Sequence, residues 1–281
     1  MTIADSRVFS TALPPMLTCK SRRKVFKAWP TGASAFTLIE LLTVISFIAI
    51  LLGIVFPAIS HVRKASLRAA CSNNLHQLIQ GAILYSNDDS KGAYSSAVHD
   101  TNDVMTFLHP DYIREPRLFL CPSTRNAIRP TQIVTNPING RVELYDLTGY
   151  AGNTTNFGTS YELFGFMNST FDTTNYEKFY FADTEISVPG VKKTINSVGS
   201  YIHQYDTFGM KGIPPGPSRI WLIVDGDEPP GFQNFPDSTN NHGAAGANSA
   251  LCDGHVEWIP RSSYIERYEI SQDENRKSHY D

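Results

Sequence analysis

The chain has 281 residues, 41% of them hydrophobic and 18% charged, with a formal net charge of −3. That is too apolar for a disordered polymer and long enough for one or two domains. The small net charge hides a split: residues 1–35 hold six of the 24 Lys/Arg and one of the 27 Asp/Glu, giving +5, and residues 36–281 hold the other 18 and 26, giving −8. A net acidic body without a basic stripe argues against nucleic-acid binding.

Residues 1–35 mix Pro14, Pro15, Pro30 and Gly32 with basic residues and show no periodicity, so they read as a disordered leader. From Phe36 to Phe56 run 21 residues, nearly all apolar, which as a helix span about 31 Å, the thickness of a bilayer core. Five basic residues between Lys20 and Lys27 precede the span, against Arg63, Lys64 and Arg68 after it, which keeps the leader on the cytoplasmic side. The span is too long for the core of a secretory signal peptide, and Ala58-Ile59-Ser60 is a poor cleavage site. Its one ionisable side chain, Glu40, needs a partner if it lies in lipid.

Beyond Pro57 the apolar residues narrow to one face, most clearly Leu75, Leu78, Ile79, Ala82 and Ile83, at helical spacings. A proline there bends a helix without ending it, so one helix is expected over residues 36–89, about 80 Å long. Its first half (36–56) is apolar enough for lipid and its second half has a face for a folded head. Residues 90–281 are that head, opening with a turn-rich connector at residues 86–92.

Within the head, residues 107–113 suggest a short helix or an irregular packing segment, 118–123 an apolar anchor, and 124–140 a loop. Strands are expected at residues 160–166, 178–182, 219–224 and 248–259. In the last, Asp253-Gly254 reads as a two-residue hairpin turn. That register sets Leu251 opposite Val256 and Ser249 opposite Trp258, with Ala250, Cys252, His255 and Glu257 on the other face. Residues 189–197 and 210–218 read as loops, and the charged tail, 264–281, as a segment that sits on the surface or frays. The fold class is α+β: a long helix packed on an antiparallel sheet.

Two stretches carry a resemblance. Ala35-Phe36-Thr37-Leu38-Ile39-Glu40, followed by the apolar run and Pro57, resembles the N-terminus of type IV prepilins and type II secretion pseudopilins. The resemblance implies cleavage between Ala35 and Phe36 by a prepilin peptidase, with Ala35 where those proteins usually have Gly. It also implies methylation of the new Phe36 amine and pairing of Glu40 with that amine on a neighbouring subunit. The partners implied are the peptidase, other pilin-like subunits and the inner membrane, with the head in the periplasm or outside; the fold implied is pilin-like. The second stretch runs through Cys71-Ser72-Asn73-Asn74-Leu75, Phe119-Leu120-Cys121-Pro122 and residues 219–225 to His242, Asp253 and Gly254. It resembles pseudopilin-like proteins that end in a His, nine residues, Asp-Gly domain; here ten residues lie between His242 and Asp253. That resemblance implies no reaction.

The expected function is a structural subunit of a pseudopilus or pilus-like fibre. The alternative is a single-span anchored protein that binds a ligand outside the membrane and does not polymerise. No nucleophile elbow, phosphate-binding glycine loop or metalloprotease helix is present, so no enzyme and no cofactor are expected. Asp225, Asp227 and Glu228, with Asp237 nearby, offer oxygens for calcium, as heads of resembling pseudopilins do, but match no complete loop pattern. Cys252, His242 and His255 lack a recognised zinc spacing. Cys19 leaves with the leader; of the three remaining cysteines, a Cys71–Cys121 disulfide is favoured, because it would staple the helix to the apolar anchor.

Overall fold

The computed structural model describes residues 36–97, 103–136, 139–149, 157–168, 190–226, 236 and 240–275. The chain divides into two compact units, 1–54 and 55–281. Helix α1 (Leu38–Asp88) begins in the first and passes through Pro57 without ending, the missing amide being tolerated inside a long helix.

In the first unit α1 is apolar on every side. An 18-residue window reaches a mean hydropathy of 2.7 and none of it is buried. Phe36 (72%), Leu38 (82%) and Ile54 (68%) are among the most exposed apolar side chains. Apolar surface all round a helix marks a segment made for lipid or for neighbouring helices. At its start Glu40 accepts from the Thr37 amide (2.9 Å) and hydroxyl (2.7 Å), while the Glu40 amide donates to Thr37 Oγ1 (3.3 Å). Thr-x-x-Glu is the sequence form of this reciprocal capping box.

In the second unit α1 becomes one-sided. Cys71, Leu75, Leu78, Ile79, Ala82 and Ser86 are buried, a stripe at spacings of three and four. Each fully buried Leu or Ile of this stripe contributes about 1.5–3 kcal/mol to holding the helix on the core. The sheet has four antiparallel strands in the order β3 (Tyr161–Leu163), β6 (Trp221–Asp225), β7 (Gly246–Leu251), β8 (Val256–Pro260). One face joins α1 through Leu163, Leu222, Ile223, Ala250 and Cys252. The other buries Trp221, Val224, Leu251 and Ile259 with Tyr264 and Tyr268 of α3 (Tyr264–Gln272). The predicted α+β class, a long helix packed on an antiparallel sheet, is therefore present and matches a pilin-like architecture.

Several expectations need correction. Residues 124–140 are not all loop: β1 (Ile133–Thr135) pairs with β2 (Val142–Leu144), its short alternation having been masked by flanking prolines. Residues 189–197 contain β5 (Val191–Lys192), paired with β4 (Phe166–Met167), and the start of α2 (Ile195–Ser200). A Thr194–Ser197 capping box starts α2. The expected strand at 178–182 lies outside the described residues.

The tail does not fray as far as residue 275. Tyr264 and Tyr268 pack on Trp221 at ring distances of 5.1 and 6.0 Å, and α3 ends on Asp273 in a left-handed cap. The Asp273 carboxylate accepts from the Gln204 amide (2.6 Å), the Tyr205 amide (3.2 Å) and Tyr201, and faces His203 Nδ1 at 3.2 Å. Charge counts could not show that the tail's apolar and aromatic residues recur at helical spacing.

The last hairpin is slipped by one residue from the expected register. Ala250 faces Val256, Ser249 faces Glu257 and Asn248 faces Trp258. The turn is a three-residue loop, Cys252 to Gly254, closed by Leu251 N to His255 O (2.9 Å) and Gly254 N to Leu251 O (2.8 Å). Gly254, at φ +97°, takes the positive-φ position of such a loop, so Asp-Gly sits at its end and not at its centre. The slip places Ala250 and Val256 against α1 and Leu251 and Ile259 against α3.

Candidate functional site

The α1 face of the sheet brings together four chemistry-bearing side chains from four separate segments. Cys71 comes from the buried stripe of α1 and Cys121 from the stretch after the 3₁₀ turn Pro116–Phe119. Asp225 ends β6, and His242 precedes the short turn Gly243–Ala245. One donor atom from each of the four lies within 4.8 Å of all the others. Cys71, Cys121 and Asp225 are 0%, 2% and 1% exposed, and the His242 side chain 4%.

A bulge in β6 decides that Asp225 points here. Trp221 pairs with Leu251 but Ile223 pairs with Ala250, so the alternation breaks between them. Trp221 consequently packs on α3, whereas Ile223 joins the α1 core, and Asp225, two residues on, follows it to that face. Regular alternation would have turned the carboxylate toward α3.

Around Asp225 the hydrogen bonds are dense. Its Oδ2 accepts from the Asn248 amide (2.9 Å) and side chain (2.8 Å) and lies 3.2 Å from His242 Nε2. Its Oδ1 takes the Cys71 thiol at 2.6 Å. Cys71 Sγ also lies 3.4 Å from the Tyr161 hydroxyl, and Cys121 Sγ lies 3.5 Å from His242 Nε2. His242 Nδ1 faces Ser123 Oγ at 3.1 Å. The indole of Trp258 meets the imidazole edge to face at 5.7 Å, and the Arg68 guanidinium lies over that indole at 4.1 Å.

Electrostatics follow from burial and contact. Burial works against the charged imidazole, but hydrogen bonds with Asp225 and Cys121 outweigh it, and the His242 pKa is pushed up to about 9. Burial also works against the Asp225 carboxylate, yet the hydrogen bond with His242 holds its pKa below the usual range. Burial pushes the Cys71 thiol well up. At Cys121 burial acts in the same direction but is overcome by the hydrogen bonds with Cys71 and His242, so that thiol is lowered. Two thiols, a carboxylate and an imidazole, all within one donor shell, are groups that bind transition metals.

The other expected site residues fall elsewhere. Phe36 is exposed ahead of α1, Glu40 caps the helix, and Ala35 lies outside the described residues. Cys71 and Cys121 do come together, but as free thiols; the favoured disulfide is not formed. Asp225 is a buried strand end, and the other candidate calcium ligands, Asp227, Glu228 and Asp237, lie outside the described residues. His242 is in the cluster, whereas Asp253 caps the hairpin turn and pairs with the partly exposed His255 at 2.6 Å. Cys252 is buried with its thiol directed at the Trp221 carbonyl, so Cys252, His242 and His255 are not one site. The cluster went unseen in the sequence because its members are 50 to 171 residues apart from Cys71 and share no spacing rule. All four stand in the second resembling stretch, but nothing in that resemblance groups them into one site. No known protein family, curated protein or solved structure matches this chain.

Proposed function

We propose that the chain is a pilin-like structural subunit, cut between Ala35 and Phe36 by a prepilin peptidase and methylated on the new amine. It is held in the inner membrane by the apolar part of α1, with the head on the periplasmic side. There it joins copies of itself or related subunits in a type II secretion pseudopilus or a type IV pilus-like fibre. The observation that carries this reading is the contrast along one helix, fully exposed and apolar over its first part, then one-sided and packed on a sheet. Glu40 adds support. Its carboxylate is folded back toward the start of the helix, on the Thr37 amide and hydroxyl, beside the position where a freed Phe36 amine would stand. A carboxylate and an amine brought together in an apolar environment neutralise two costly groups at once.

Mass spectrometry of the N-terminal peptide of membrane-extracted protein tests the processing step. A methylated Phe36 terminus is expected; a terminus near Ser60 means that signal peptidase acted instead. Cross-linking in intact membranes tests assembly, with a ladder of multimers expected. A Phe36 terminus on a protein that never cross-links to another pilin-like subunit identifies the lone anchored binding protein.

A further inference from the structure

We propose that Cys71, Cys121, Asp225 and His242 form a zinc site that fastens α1 to the sheet, independent of whether the chain assembles into a fibre. The donor chemistry selects the ion. Two sulfurs, one imidazole nitrogen and one carboxylate oxygen suit Zn²⁺, while Ca²⁺ and Mg²⁺ require shells of oxygen. Metal–donor bonds of about 2.0–2.3 Å set tetrahedral donors about 3.3–3.8 Å apart. Here the Cys121–His242 separation is 3.5 Å, and one donor atom from each of the four residues lies within 4.8 Å of all the others.

Four protein donors and near-complete burial make this a closed structural site, with no position held open for a substrate. The supporting contacts are those a metal site needs. Ser123 Oγ faces His242 Nδ1, so that nitrogen can carry the ring proton and leave Nε2, already turned to Cys121 and Asp225, for the metal. Asn248 holds Asp225 with two hydrogen bonds to one carboxylate oxygen, and the other oxygen faces Cys71. Trp258 closes over the imidazole. On binding, the thiol protons of Cys71 and Cys121 leave to solvent as the two metal–sulfur bonds form. A disulfide would use the two cysteines alone and gives no reason for the imidazole and carboxylate to converge on them.

The test uses the full chain in detergent, purified under reducing conditions and incubated with Zn²⁺ or Co²⁺. About one Zn²⁺ per chain is expected after removal of free metal. Co²⁺ should give thiolate charge-transfer absorption in the near ultraviolet and intense tetrahedral bands in the visible. Cys71→Ser with Cys121→Ser, and His242→Ala alone, should each weaken binding at least about tenfold, whereas Cys252→Ser leaves it unchanged. Because the cluster variants can fail to fold, the cobalt spectrum of the unaltered chain decides by itself. Absence of retained zinc and of thiolate–cobalt absorption in protein with a native circular-dichroism spectrum overturns the proposal. So does recovery of a Cys71–Cys121 disulfide in peptides mapped, without reductant, from protein taken directly from membranes.

Discussion

The thiol of Cys71, in the middle of α1, donates to the carboxylate of Asp225, at the end of β6, at 2.6 Å across 154 residues of sequence. This contact joins the helix to the sheet at a point where both partners are fully enclosed, and it exists only because the β6 bulge turns Asp225 to the helix face. Removing the carboxylate takes the acceptor from two Asn248 donors and the Cys71 thiol, and the anionic partner from the His242 imidazole. Asp225→Ala should therefore cost about 3–5 kcal/mol in denaturant unfolding of the detergent-solubilised chain. A loss below about 1 kcal/mol, the range of ordinary surface changes, would remove Asp225 from its central place in the head.

Glu40→Leu separates insertion from assembly. The substitution makes the apolar stretch more apolar, so the variant should enter the membrane as well as the parent or better. If Glu40 sets the axial register of neighbouring helices, the variant should be cleaved at Phe36 yet missing from cross-linked multimers. Multimers at the parent level would show that Glu40 serves only as the helix cap made with Thr37.

Gly246 opens β7 at φ +141°, and a Cβ there would stand 2.1 Å from the Ile259 carbonyl oxygen. No flexible side chain can yield, because the obstacle is the backbone of the paired strand. Gly246→Ala should lower the melting temperature by several degrees, in line with a cost above about 1 kcal/mol for an incompatible backbone position. An unchanged melting curve would mean that β7 and β8 separate at this end at little cost.

Acid should loosen the C-terminal latch. At Asp273 burial raises the pKa, but the hydrogen bonds from His203, the Gln204 amide, Tyr201 and the Tyr205 amide prevail and hold it below the usual value. A depressed carboxylate contributes stability that is complete above its unfolded pKa, about 4, and is lost as pH falls through the folded value. Stability should thus decline below about pH 4. Asp273→Asn should be less stable than the parent at pH 6, and the gap should narrow at pH 3. Parallel pH profiles for the two proteins would place the acid sensitivity in another group.

Much of the molecule was legible without coordinates because its signals are local. An apolar run long enough for a bilayer, a lone carboxylate within it and a stripe at spacings of three and four depend only on helix geometry, and these led to α1 and its change of character. Strands β6, β7 and β8 were found for the same reason, their apolar and turn residues being adjacent in the chain. The register of the last hairpin was not, since Asp-Gly can stand at the centre of a two-residue turn or at the end of a three-residue one. Burial of β7 on both faces chooses between them. Nor was the order of the tail readable, because Tyr264 and Tyr268 are held by Trp221, far earlier in the chain. The Cys71, Cys121, Asp225 and His242 cluster is the clearest case: each residue lies in a different segment, and one bulge decides which way the carboxylate points. Packing of α1 and two connecting segments on one face of the sheet, and not any pattern within one segment, made them neighbours.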